Sequence, residues 1–566
     1  MAFMSVLCVV LLGLYGLYRW LLPKPLSGIP YNPEATKSLF GDIPSLVKEV
    51  SKTGDMAGWV HKQADRTRSP VTQIFIKPFG PPSLLVCDFR EAQDVMLHRK
   101  EFDRSGFTKE LFYGMGKDHH INMKTGPEWK GRRRLLQDLM SPGFLHNVAA
   151  PSIHASSLNT LQLWGLKADM ADERPFSASK DIFCAALDAV LAFALGTEFK
   201  ENATRAQIKL LQGLSAEELS KAGSAADPIQ FPTAPMGEAI SGLLTLTHSV
   251  ERVRSAACMR LRWWFLTREK EFQAAWKAKE DCLHGELDKA VQARTQHQEK
   301  GDTWIRSAVD HMVDRETHLA EKEGRQADYH STAMVAEVFG FIVAGHDTTS
   351  TTLCWGVKFL ADHQDVQNRL RADLQSAFSA AKEEGRLPTA NEITKTSIPY
   401  LEATMEEILR VGNTVPIVDR EVMQDTTLLG HHVPKGTQVL FLNTGPSMLA
   451  PAFDVNDSKR SPRARQAKVR AWADEDIGMF KPERWLAEED GKEVFDSQAG
   501  PTMPFSLGIR GCFGRRLAYL ELRLLLTAII LSFELLECPR DLSGYEAVDG
   551  VVHGPKKCFV RLRKIA

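Results

Sequence analysis

Cys512 stands in the run Phe505-Ser506-Leu507-Gly508-Ile509-Arg510-Gly511-Cys512-Phe513-Gly514. An aromatic residue, an arginine and glycines at fixed offsets around one thiol suit a thiolate ligand for haem iron. Such a ligand pushes electron density onto the metal and favours O–O cleavage. It needs tuning by the groups around it. Gly508 and Gly514 can supply tight turns and let backbone N–H groups approach the sulfur. Phe505 can shield the ligand, and Arg510 can pair an anionic propionate. The plainer readings explain less. A lone cysteine is most often a small buried hydrophobe, which accounts for none of these neighbours. The spacing of Gly508, Gly511 and Gly514 is not the dinucleotide fingerprint. The next segment, Arg515 to Ser532, reads as a largely apolar helix with Glu521 and Arg523 as its only later charges.

Ala344-Gly345-His346-Asp347-Thr348-Thr349 is the second chemical signal, inside an apolar helical stretch from about Met334 to Leu360. A glycine costs such a helix up to about 1 kcal/mol relative to alanine. Threonine hydroxyls can bond back to helix carbonyls and bend the axis. A groove opened this way would hold water near Thr348, with Asp347 on the path to solvent. His346 is given no metal role. Glu407 and Arg410 at i, i+3 share a helix face and can pair, although an exposed pair would contribute little. Trp129 and Arg133, four apart, also share a face.

Taken in chain order, from Trp129 to Cys512, these four segments resemble the cytochrome P-450 family, and the loop around Cys512 matches the family's cysteine-ligand loop at every defining position. The resemblance implies a mainly α fold with small β-sheets and haem b (iron protoporphyrin IX), with the Cys512 thiolate as axial ligand. It implies proton delivery by Asp347 and Thr348. It implies a structural triad of Glu407, Arg410 and Arg484, the last from Phe480-Lys481-Pro482-Glu483-Arg484-Trp485. Haem binding falls to Trp129, Arg133, Arg420, Phe505, Gly508, Arg510 and Gly514. The basic stretch Lys459–Arg470 departs from the family pattern and reads as an exposed loop. The general style resembles membrane-bound members of fungal secondary metabolism.

The 566 residues carry a net charge of −1, which argues against a nucleic-acid binder. Nine cysteines are scattered without a CxxC pair, as in a reducing compartment. Met1 to Tyr18 carry no charge, and Trp20-Leu21-Leu22 extend the run after Arg19. This predicts a transmembrane anchor over 1–22, a proline-rich hinge over 23–35 and one haem domain over 36–566. Arg19 and Lys24 then place that domain in the cytosol, on the endoplasmic reticulum membrane. In that topology the sequons at Asn202 and Asn456 stay unmodified.

Strands are expected within residues 70–90 and from Thr427 to Leu442, and helices dominate from about 125 to 410. Lys277 to Lys322 reads as a solvated helical face with loops around Gly301. Lys130, Arg132, Arg134, Arg515 and Arg516 suit either solubility or docking of an acidic electron donor. The chain has no room for its own flavin domain after Cys512, so the expected donor is a separate NADPH-dependent reductase. Phe107, Leu111, Phe112, Met115, Val343, Ala344, Val415 and Ile417 are the pocket candidates and suggest a hydrophobic small molecule. The expected protein is a monomeric monooxygenase. A non-catalytic haem sensor or carrier is the alternative, and the intact Asp347-Thr348 pair argues against it.

Overall fold

The computed structural model describes residues 2–214, 228–254, 256, 258–298 and 304–565. The expected loop around Gly301 lies largely outside them.

Ten helices matter for the site: α1 (Ala2–Leu21), α2 (Gly106–Leu111), α3 (Pro127–Leu136), α4 (Ala150–Ala171), α5 (Ser179–Leu195), α6 (Lys270–Gln298), α7 (Ala308–Glu323), α8 (Thr332–Asp362), α9 (Pro399–Val411) and α10 (Arg515–Ser532). The main core gathers apolar side chains from α4, α5, α8, α9 and α10. Helix α8 runs through it, packed chiefly on α5. Its start is set by Ser331, whose side chain accepts the Met334 N–H, an N-cap that satisfies an orphan donor. Pro399 opens α9, where a missing N–H costs nothing.

One sheet of five strands flanks this core: β1 (Val71–Ile74), β2 (Ser83–Val86), β3 (Phe102–Asp103), β4 (Ile417–Val422) and β5 (Gln438–Leu442). The spatial order is β1-β2-β5-β4-β3. β1 and β2 form the expected antiparallel hairpin, Val71 opposite Val86. β5 lies parallel to β2 with Leu84 opposite Val439, and antiparallel to β4 with Arg420 opposite Val439. All five residues of β5 are buried, as a central strand requires.

Helix α1 forms over the apolar N-terminal run and leaves its apolar side chains exposed, Phe3 at 80% and Leu12 at 69%. Among the described residues no helix is long and apolar enough to cross a membrane. The proline-rich segment is a free spacer only at its start. The Gln73 side chain accepts the Leu26 N–H and donates to the Leu26 and Ile29 carbonyls, and Ile29 is buried. The basic stretch is likewise docked rather than loose. Arg460 pairs with the buried Asp88, Ala464 is buried, and Pro462–Gln466 is a short helix. Arg90 donates to the Ala464 and Arg465 carbonyls.

Candidate haem-thiolate site

The cysteine loop closes on itself before α10 begins. The Cys512 N–H donates to the Phe505 carbonyl at 2.8 Å, and the Gly511 N–H to the Gly508 carbonyl at 3.0 Å. Gly508 has φ +69°, and a Cβ there would stand 2.1 Å from the Met96 carbonyl oxygen. Glycine is therefore required at 508. Gly514 has φ −79° and open space where a Cβ would go, so it is no obligate turn glycine. Its contribution is a backbone N–H to the Cys512 sulfur. Burial pushes the Cys512 thiol up, while the Gly514 N–H and the charges of Arg133 and Arg515 pull it down. The residue nevertheless keeps accessible surface. Dense surroundings and open surface together mark a thiol that faces a concavity. Phe505 packs on Tyr519 at 5.2 Å.

Four arginines converge beside this loop. Arg133, on α3, lies 4.4 Å over the Phe513 ring and 5.5 Å over Trp129. Arg510 lies 4.9 Å over Trp129 and donates to the Met123 carbonyl. Arg420 projects from β4, donating to Ser506 Oγ at 3.1 Å. Ser506 itself holds φ +55°, a strained value for a non-glycine residue. Arg104 follows β3 and was not singled out from the sequence; nothing periodic marks it. Burial depresses all four, Arg420 to about 10 and Arg510 to about 9. Guanidinium does not surrender its proton at neutral pH, so these buried cations, brought close to one another, favour bound anions. The acids facing Arg104, Arg420 and Arg510 are already engaged. Asp103 accepts from Thr125, and Asp419 from Ser105 and Thr108. Arg104 Nε and Arg510 Nε and Nη1 are buried without hydrogen-bond partners, although Arg510 Nε lies 3.8 Å from Asp103 Oδ1. Two carboxylates of a propionate-bearing group would supply such anions. A cleft of ≈ 620 Å³ opens here, lined by Trp129, Lys130, Arg133, Arg134 and Phe513 among others.

The face of α8 carrying Phe341, Ala344 and Thr348 is open, whereas His119 covers the turn before it at Gly340. Ala344 is exposed and Phe341 and Thr348 are half-buried, although the helix runs through the core. The Thr348 hydroxyl donates to the Ala344 carbonyl at 2.8 Å, the back-bond expected of a bent helix. Gly345 points elsewhere: a Cβ would stand 2.5 Å from Val190 Cγ2 on α5. Its smallness serves helix packing, not the groove. His346 is buried with its ring 5.2 Å from Phe183, and its Nδ1 bonds the Ile342 carbonyl at 2.6 Å. Asp347 Oδ1 lies 3.6 Å from His346 Nε2.

Beneath the loop's support, Glu407 is fully buried and accepts from Arg410 Nε and Nη2, from Arg484 Nε and from Trp485 Nε1. Arg410 also donates to the Met448, Ile477 and Met479 carbonyls. Glu521 on α10 was noted in the sequence only as a charge in an apolar run. It is fully buried, bonded to Thr349 of α8, and burial pushes it up to about 8.

The pocket candidates do not all converge. Leu111, Phe112, Met115 and Val343 belong to or border the main core. Ile417 packs with the cluster around Trp59 and Leu85 on the sheet instead. Val415 is 37% exposed, in the turn before β4.

A sequence model of the family described as "Cytochrome P450" matches residues 45–445 and 476–560. The chain belongs to the cytochrome P450 family. It is 41% identical over 580 residues to "Cytochrome P450 monooxygenase TRI13" of Fusarium sporotrichioides, covering 99% of this chain and 98% of that one. It is 37% identical to "Cytochrome P450 monooxygenase xilC" of Penicillium rubens, covering 98% and 95%. A cytochrome P450DA haem domain shares the fold, with TM-score 0.68 at 16% identity, covering 96% of this chain and 99% of that one. This P450 is thus a monooxygenase with haem held by a cysteine thiolate, and Cys512 is that cysteine. The stretch 446–475, which the family model leaves unmatched, contains the basic segment docked by Arg460.

Proposed function

We propose that this P450 oxidises a hydrophobic product of fungal secondary metabolism, using electrons from an NADPH-dependent P450 reductase. The observation that carries the reading is the open middle of α8: an exposed Ala344 and a half-buried Thr348 on a core helix. Haem, when bound, supplies the activation of O₂. Trp129, Arg133, Arg420 and Arg510, with Arg104, hold its carboxylates by charge and hydrogen bonds. Phe505 and the Gly514 N–H condition the Cys512 sulfur. Thr348 offers a hydroxyl for proton delivery at the open face, and Asp347 connects it outward. Apolar side chains of Leu111, Phe112, Met115 and Val343 exclude water and receive the substrate.

The secondary-metabolite reading leans on the relatives. Relatives that cover nearly the whole chain include proteins of Fusarium, Penicillium and Pestalotiopsis, and a shorter match from Dothistroma is named for a cluster. Lys130, Arg134, Arg515 and Arg516 are exposed near the cysteine loop and suit docking of an acidic reductase. Helix α1 is not long and apolar enough to cross a bilayer, so its exposed apolar side chains hold the monomer against the surface of the endoplasmic reticulum membrane, with the haem domain in the cytosol.

The test is co-expression with a P450 reductase and incubation of microsomes with terpenoid, polyketide and fatty acyl candidates. The reading expects a product one oxygen heavier that requires both NADPH and O₂. Haem incorporation with no substrate-dependent NADPH consumption across the panel would instead favour the sensor or carrier.

A further inference from the structure

Among the described residues two sets of donor atoms converge, Asp55 with Asp549 and His553, and His119 with His120 and Glu337; the second borders the arginine cradle, with the His120 ring 6.4 Å from Phe513. His119 and His120 lie in the connection between α2 and α3, and Glu337 lies in the second turn of α8. His120 Nδ1 stands 2.7 Å and His119 Nε2 3.3 Å from Glu337 Oε2. The three donor atoms all lie within 4.8 Å of one another. Glu337 is fully buried, whereas the two imidazoles keep 14% and 16% of their side-chain surface. Gly340 makes the approach possible, since a Cβ there would stand 2.2 Å from His119 Nε2.

We propose that His119, His120 and Glu337 bind a divalent transition-metal cation of the zinc type, separate from the haem. Two imidazole nitrogens and one carboxylate oxygen, with a fourth position open, form a zinc donor set. Metal–ligand distances of about 2.0–2.2 Å require the donors to spread slightly from their present hydrogen-bonding separations. Loading requires a free lone pair on His119 Nε2 and His120 Nδ1. Each ring now turns a nitrogen to Glu337; with metal there, His119 carries its proton on Nδ1 and His120 on Nε2. The 3.3 Å bond from the Ile121 N–H to His119 Nδ1 is given up. Glu337 is one turn from Gly340 and Phe341 and shares their face of α8, which continues to Ala344 and Thr348. A cation here ties the connection between α2 and α3 to that helix, so occupancy restricts entry to the distal side of the pocket.

The test uses the full-length haem-loaded protein in detergent, freed of metal by chelation and titrated with zinc chloride by calorimetry. The pair His284 and His330, with Nδ1 atoms 2.8 Å apart, and the group of Asp55, Asp549 and His553 could bind zinc independently, so all proteins carry His284→Ala, His330→Ala and His553→Ala. One equivalent bound in the low micromolar range is expected, weakened at least about 10-fold by Glu337→Gln, since losing a direct carboxylate ligand costs no less than losing an outer-shell partner, and abolished by His119→Ala with His120→Ala. The spectrum of the reduced carbon monoxide complex checks assembly. Carbon monoxide rebinding after photolysis should slow when zinc is added, and only where Glu337 is intact. No zinc bound, or equal binding in the parent and the variants, overturns the proposal and leaves a hydrogen-bonded clasp. Should Glu337→Gln fail to take up haem, the double histidine variant decides.

Discussion

Gly508 and Met96 approach so closely that a Cβ on the glycine would stand 2.1 Å from the Met96 carbonyl oxygen. The same glycine holds φ +69°. The cysteine loop is thus seated on the end of the helix Phe89–His98 by a contact that only glycine permits. Gly508→Ala is expected to cost at least about 1–3 kcal/mol in backbone strain, with the contact adding to it. Haem per chain, measured by the pyridine haemochrome, should fall sharply, whereas Gly514→Ala should retain most of it.

Glu407 accepts hydrogen bonds from Arg410, Arg484 and Trp485 while fully buried. Removing the carboxylate strands two arginines, and breaking a buried pair typically costs about 3–5 kcal/mol. Glu407→Ala should lower the thermal midpoint and the yield of haem-loaded protein. Arg252→Ala, which breaks a part-exposed pair with Glu269, should leave the midpoint within a few degrees.

Glu521 gives a pH dependence with a definite sign. Burial holds it at about 8 against an ordinary value of 4.5. Between these values the unfolded chain has released the proton and the folded chain has kept it. Stability therefore falls as pH rises through this window, by up to about 1.4 kcal/mol per pH unit from this group. Glu521→Gln removes the effect. Its thermal midpoint, compared with wild type from pH 5 to 8, should gain progressively toward pH 8. Parallel curves would show that Glu521 does not titrate in this way.

Thr348→Ala should leave haem content near normal and divert electrons from product. General acid–base steps contribute about 10²–10⁴-fold, so product formed per NADPH consumed should drop steeply while hydrogen peroxide or water rises. Unchanged coupling would remove Thr348 from proton delivery without touching the role of Cys512.

Legibility in the sequence followed locality. The helix read over Arg515 to Ser532 appears with those bounds, because apolar periodicity and the preceding glycine act within a few residues. The hairpin within 70–90 and the run inside α8 were legible for the same reason. The Glu407 triad was reachable only because its Arg484 partner sits in a recognisable segment. Arg104 was missed because its role arises from burial beside Arg420 and Arg510, which lie far along the chain. Gly345 was misread for a related reason: composition shows a small residue, but only packing shows that it faces Val190 and not the groove. The proline-rich spacer and the basic stretch looked free because the residues that dock them, Gln73 and Asp88, are remote in sequence.

The central claim is that Cys512 is the thiolate ligand of the haem iron. The most direct measurement is the difference spectrum of the reduced carbon monoxide complex for wild type and Cys512→Ala, at matched protein concentration. The wild type should show the long-wavelength Soret band characteristic of thiolate ligation, and the variant should lack it, whether or not it still retains haem. A Cys512→Ala protein that keeps that band would contradict the assignment and return the ligand to one of the other eight cysteines.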